Sequence, residues 1–184
     1  ALPAAEAFAA IEQMIVSQLT SESFKAACAN VQGETATLIC AQKDQFVWWL
    51  SIGDNLVYLL HPQLRAMGQY ALNQRHFYEW VGQANSLALA VPCYSRGVSE
   101  LRSGLNHLLL LTDGVLEFEG SPYIESEVIY NLFSQANRLS GAGNQAAISD
   151  ILNAVHAGNG RDSATIIAFS VDTGTYTSVI QSNQ

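Results

Sequence analysis

The sequence predicts an α+β fold, with mainly antiparallel strands covered by helices. Three observations carry that reading. Apolar residues recur at helical spacing over the first thirty positions. The pattern then changes to short β-rich runs separated by Gly- and Asp-containing turns. Helical spacing returns after residue 123, before a last pair of β-rich runs. The chain has 184 residues, enough for a real core, and shows no repeat, linker or low-complexity segment. Residues 1–184 are therefore read as a single domain.

The elements follow in order. Phe8, Ile11, Ile15 and Leu19 mark a helical face in residues 4–31, and Phe24, Ala27, Cys28 and Val31 continue it. Thr20-Ser21-Glu22-Ser23 is either a break with a fresh N-cap or a polar turn of one long helix. Gln32-Gly33 stops it. Residues 35–41, 46–52 (FVWWLSI) and 56–60 then read as a meander of three strands. FVWWL is apolar on both faces, which predicts a central strand covered on both sides. Residues 61–106 are punctuated by Pro62, Gly68, Gly82, Pro92 and Gly97, with short strands expected at 87–91 and 97–101. Residues 107–112 form a strong strand ending in Asp113-Gly114. Residues 124–138 read as a helix that Gly141-Ala142-Gly143 breaks. Asn144 is expected to cap another helix reaching His156, and Gly158-Asn159-Gly160 ends it. Residues 164–171 and 176–180 are the last two strands, joined by Asp172-Thr173-Gly174.

Composition excludes several classes of function. The chain is 49% hydrophobic and only 13% charged, so it is no disordered tail. Its net charge of −8 and pI near 4.8, with Lys and Arg scattered, argue against nucleic acid and anionic membranes as partners. No apolar run is long enough to span a membrane. Cys28, Cys40 and Cys93 form no CxxC pair and read as reduced thiols, which points to a cytoplasmic location.

Three aspartates share one context. Asp54 follows strand FVWWLSI through Gly53, Asp113 ends a strand and precedes Gly114, and Asp162 precedes strand ATIIAFSV. Carboxylates at strand ends, on loops of little bulk, suit hard divalent cations such as Mg²⁺ and Mn²⁺. Each taken singly is also an ordinary turn residue. The residue pattern alone leaves both readings open.

Four blocks in order add a resemblance. They are Gly33-Glu34-Thr35-Ala36, SIGDNLVYL (51–59), LLLLTDGVLEF (108–118) and GRDSATIIAFSV (160–171). Together they resemble the metal-dependent protein phosphatases of the type-2C family. That family has a Gly-Ser-Thr-Ala strand start, a Gly-Asp-Ser-Arg turn, a Ser-Asp-Gly strand end and an Asp-Asn-x-Thr strand start. The resemblance implies two packed, mainly antiparallel β-sheets flanked by helices, an α-β-β-α sandwich. It implies that Asp113 and Asp162 are ligands of a catalytic Mg²⁺ or Mn²⁺ pair, with Asp54 facing a further, weaker cation position. Two or three ions are expected in the complete domain. Gly114 and Gly53 would support the site through their backbones. The implied activity is hydrolysis of phosphoserine or phosphothreonine in phosphoproteins by a metal-activated water.

The sequence also departs from the family pattern. The family's bridging carboxylate comes from an Asp-Gly-x-Gly motif upstream of its first long helix, and no such motif occurs here. The turn at 53–56 is Gly-Asp-Asn-Leu, and Ser163 stands where Asn is usual. The expectation is an N-terminally truncated phosphatase domain with an incomplete metal site. The alternative is a catalytically inactive phosphatase-like binding or regulatory module.

Other motifs carry less. Residues 141–146 match GxGxxA, but a helix and not a strand precedes them. His61, His76, His107 and His156 show no zinc-ligand spacing; His61 and His76 are the candidates for a general acid. Trp48, Trp49, Trp80, Phe77 and Tyr78 read as core or near-core residues.

Overall fold

The structure, a computed structural model, describes residues 2–31, 33–135 and 141–174. The strand expected at 176–180 and the last residues of the helix expected at 124–138 lie outside the described residues.

Two helices open the chain, α1 (Ala4–Leu19) and α2 (Glu22–Ala29). They are separate helices because Ser21 caps the second: its side chain accepts from the Phe24 N–H at 3.2 Å. The strands are β1 (Glu34–Thr35), β2 (Thr37–Lys43), β3 (Phe46–Ile52), β4 (Leu56–Leu60), β5 (Val81–Gly82), β6 (Ser95–Glu100), β7 (Leu105–Leu111) and β8 (Ile166–Asp172). A short helix α3 (Pro62–Ala66) follows β4, and α4 (Ser126–Gln135) and α5 (Gly141–Ala157) precede β8. Strands β2-β3-β6 form one antiparallel sheet and β4-β7-β8 a second, while β1 pairs with β5.

Alternation along the strands sorts side chains into layers. Val47 of β3, Leu59 of β4 and Leu108 of β7 meet between the two sheets, joined by Leu64 and Leu101. The other face of β3 presents Trp48, Leu50 and Ile52 to Phe8 of α1, with Phe8 and Trp48 stacked at 6.4 Å between ring centroids. The outer face of the second sheet presents Tyr58, Leu60, Leu109 and Leu111 to Ile129, Phe133 and Ile151 of α4 and α5. The result is helices, sheet, sheet, helices. The central position of β3, covered on both faces, follows directly from FVWWL.

Four expectations need correction. Residues 56–60 do not continue a meander: β4 leaves β3 and pairs with β7 in the other sheet. Gly53 makes the crossing, with φ of +100° and a Cβ position that would fall 2.7 Å from Ala36 Cβ. Residues 87–91 are not a strand; Ser86–Ala88 is a 3-10 turn, and Asn85 accepts from the Leu87 N–H through its side chain. The last helix begins at Gly141 and not after an Asn144 cap. Finally, the aromatic residues of the RHFYEW stretch are not core: Phe77 is 56% exposed, Tyr78 86% and Trp80 40%.

Candidate active site

Asp54, Asp113 and Asp162 line one cleft of about 310 Å³. Strand pairing explains why they meet. Leu56 pairs with Leu111, and Leu111 pairs with Ile166. The start of β4, the end of β7 and the start of β8 therefore lie at one end of the second sheet. The Gly53 turn delivers the end of β3 to the same place. Glu34, Thr35, Asn55, His76, Phe77, Glu79, Trp80, Thr112 and Ser163 complete much of the wall.

Asp113 opens a 3-10 turn, Asp113–Val115, after β7. Its Oδ1 accepts from the Gly114 N–H at 2.9 Å, and its carbonyl oxygen accepts from the Leu116 and Glu117 N–H groups. Asp162 Oδ1 accepts from the Ser163 N–H at 2.7 Å. Each carboxylate is thereby oriented by the backbone next to it. Gly114 lets the two turns touch: a Cβ there would fall 2.5 Å from the Ser163 carbonyl oxygen. Thr112 ties them further. Its Oγ1 donates to the Ser163 carbonyl at 3.1 Å and accepts from the Thr165 N–H at 2.9 Å.

Burial pushes the Asp113 carboxyl above its ordinary value. The charges of Asp54 and Asp162 push in the same direction, the Gly114 N–H opposes them, and Glu117 adds a little more. An acid that feels two neighbouring acids gains most from a cation placed among them. The donor set is all carboxylate oxygen, the chemistry that Mg²⁺ and Mn²⁺ prefer. Among the described residues, no group of three His, Cys, Asp or Glu side chains converges closely enough to cage one ion. The residues fit an open cation site, where water would complete the coordination, and not a closed cage.

Some residues on or behind the wall, Glu79 and Asn73, carried no usable signal in the sequence. Glu79, with 13% of its side chain exposed, accepts from the Gly53 N–H at 3.3 Å and lies 3.6 Å from His76 Nδ1. The His76 N–H donates to the Gly53 carbonyl at 3.1 Å, so residues 76–79 clamp the turn that carries Asp54. Asn73 is buried; it accepts from the Val57 N–H and donates to the Asn55 carbonyl, both at 2.8 Å. Other wall residues stood inside the motif blocks: Glu34 and Thr35, Asn55, Thr112 directly before Asp113-Gly114, and Ser163 directly after Asp162. Of the two histidines weighed as general acids, His76 is on the cleft wall. His61 instead bonds the Ser103 carbonyl and lines a separate cavity with Leu60, Pro62 and Tyr130.

No protein-family model matches the sequence, and no curated protein matches it at a significant level. Solved structures do match. One is PppA, described as a key regulatory component of T6SS in Pseudomonas aeruginosa: TM-score 0.64, 15% identity, 90% of this chain and 72% of that one. The serine/threonine phosphatase Stp1 from Staphylococcus aureus matches with TM-score 0.61 and 14% identity, over 94% of this chain and 70% of that one. The catalytic domain of the serine/threonine protein phosphatase PstP, in complex with two manganese ions, matches with TM-score 0.54 and 17% identity, over 86% of this chain and 66% of that one. At such identities the likeness is one of fold. The chain has the α-β-β-α sandwich fold of the type-2C serine/threonine phosphatases.

Proposed function

We propose that the chain is a single phosphatase-like domain that hydrolyses phosphoserine or phosphothreonine in phosphoproteins with the help of Mg²⁺ or Mn²⁺. One observation carries the reading. Three aspartates from the ends of strands in both sheets line one cleft, in a fold shared with serine/threonine phosphatases. Asp113 and Asp162 would hold the cations, and Asp54 faces the same cleft. PstP with its two manganese ions supports the choice of cation. When bound, such ions supply Lewis-acid stabilisation of phosphoryl oxygens and an activated water nucleophile.

The chain's own residues orient and position. The Gly114 and Ser163 N–H groups hold Asp113 and Asp162 by one oxygen each, which leaves Oδ2 of each carboxylate outside those bonds. Thr112 fixes the distance between the two turns. Glu79 and the His76 backbone hold the Gly53 turn and so the placement of Asp54. The acidic cleft repels a phosphate dianion without cations, so substrate binding depends on them. A cytoplasmic setting belongs to the same proposal. The three cysteines are unpaired, and among the described residues no helix is long and apolar enough to cross a membrane.

A second reading has its own observation. The acids do not cage an ion among the described residues. That favours a catalytically inactive phosphatase-like binding or regulatory module. Phosphate release from phosphoserine and phosphothreonine peptides, measured with Mn²⁺ and with EDTA, separates the two. Mn²⁺-dependent release supports the enzyme. No release by the folded chain with Mn²⁺ supports the module.

A further inference from the structure

Arg75 stands beside the cleft, with 20% of its side chain exposed. Its Nη2 donates to Glu117 Oε1 and lies 3.9 Å from Asp54 Oδ2, and its Nε donates to the Asp54 carbonyl oxygen at 3.3 Å. The guanidinium also lies over the Phe77 ring, 4.7 Å from its centroid. One cation thus joins the loop after β3 to the loop after β7, two loops from different sheets that each carry a cleft aspartate. The Asp54 side chain is 25% exposed and that of Glu117 51%, so the Asp54 contact is the more sheltered of the two.

A guanidinium keeps its charge at every working pH, and its planar fork can bridge two acids at once. Beside Asp54 it offsets the mutual repulsion of the cleft carboxylates without any ion from solution. A divalent cation approaching Asp54 would meet that fixed positive charge 3.9 Å from Oδ2 and would be repelled by it. We propose that Arg75 takes the place of a divalent cation at Asp54, so that the cleft holds cations through Asp113 and Asp162 and excludes one from Asp54. The inference rests on the reading of this cleft as a cation site.

Mn²⁺ titration of the purified chain, following free Mn²⁺ by electron paramagnetic resonance, tests it. Arg75→Gln is expected to bind Mn²⁺ on the order of tenfold more tightly than wild type, or to gain a site. That gain should vanish when Asp54→Asn is added. A gain that persists with Asp54→Asn is a general charge effect and overturns the proposal, as does Arg75→Gln binding no tighter than wild type. Arg75→Lys keeps the charge but loses the Nε bond. It should show a smaller gain with the same dependence on Asp54, and it serves if Arg75→Gln does not fold by circular dichroism. Absence of Mn²⁺ binding by wild type and all variants would overturn both this proposal and the cation-site reading. Binding without an Asp54-dependent gain would overturn the proposal alone.

Discussion

Replacing Gly114 with alanine puts one methyl group between the two turns of the cleft. That Cβ would lie 2.5 Å from the Ser163 carbonyl oxygen, 2.8 Å from its carbonyl carbon and 3.2 Å from the Asp162 carbonyl carbon. All three are backbone atoms, so no side chain can swing away. The turn carrying Asp162 must retreat by about half an ångström or more to reach even the closest contact real Cβ atoms make. Overpacking of this kind costs about 1–3 kcal/mol. The retreat also stretches the 3.1 Å bond from Thr112 Oγ1 to the Ser163 carbonyl, worth a further ~0.5–1.5 kcal/mol. A total of about 1.5–4.5 kcal/mol lowers the melting temperature of a chain this size by roughly 3–18 °C. Thermal unfolding with EDTA measures that loss free of any contribution from metal. Gly→Ala at an unstrained, open position would instead stabilise by about 0.4–1 kcal/mol through the unfolded chain. A Gly114→Ala protein as stable as wild type, or more so, would refute the close approach of the two turns.

Other outcomes follow from the same geometry. Thr112→Val removes both Oγ1 bonds between the turns and should cost about 1–2 kcal/mol in urea unfolding, with weaker Mn²⁺ binding. Asp113 has its carboxyl held above the ordinary value, first by burial and then by Asp54 and Asp162. Its proton therefore stabilises the fold at low pH, and that stabilisation is lost as pH rises through the window above 3.8. Without metal, Asp113→Asn should match wild type in acid and exceed it in stability at neutral pH; equal stability at both would contradict this. Burial lowers the His107 pKa below 6.5, so stability should fall as pH drops from 6.5 towards the lowered value, and His107→Gln should flatten that slope. Burial pushes the Cys40 thiol up to about 11. Iodoacetamide at mildly alkaline pH should label Cys40 more slowly than Cys28 or Cys93, read by peptide mass spectrometry.

Much of the fold was legible because period and burial agree. FVWWL could only be a strand covered on both faces, and β3 is one. The strand HLLLLT, ending in Asp113-Gly114, is the central strand of its sheet. What sequence could not show was partner choice. β3 and β4 are joined by a tight turn, and local pattern favours pairing them, but Gly53 sends β4 across to β7. The exposure of Phe77, Tyr78 and Trp80 was equally hidden, since aromatic residues bury by default and only the position of their loop at the cleft mouth decides otherwise. The site divided along the same line. Three aspartates at strand ends stood out, and they line one cleft. Arg75, Glu79 and Asn73, which hold those loops, come from a segment with no periodicity, and their roles exist only through contacts made far along the chain.

The central claim is that Asp113 and Asp162 would hold cations and that the chain hydrolyses phosphate esters with their help. Mn²⁺-dependent hydrolysis of p-nitrophenyl phosphate by the chain, with Asp113→Asn alongside, tests it most directly. The account predicts turnover that EDTA abolishes and that Asp113→Asn lowers by roughly 100-fold or more, at least the loss seen when a metal ligand loses its supporting partner. Turnover that survives Asp113→Asn unchanged, or no turnover with Mn²⁺ in a chain that is folded, would contradict it.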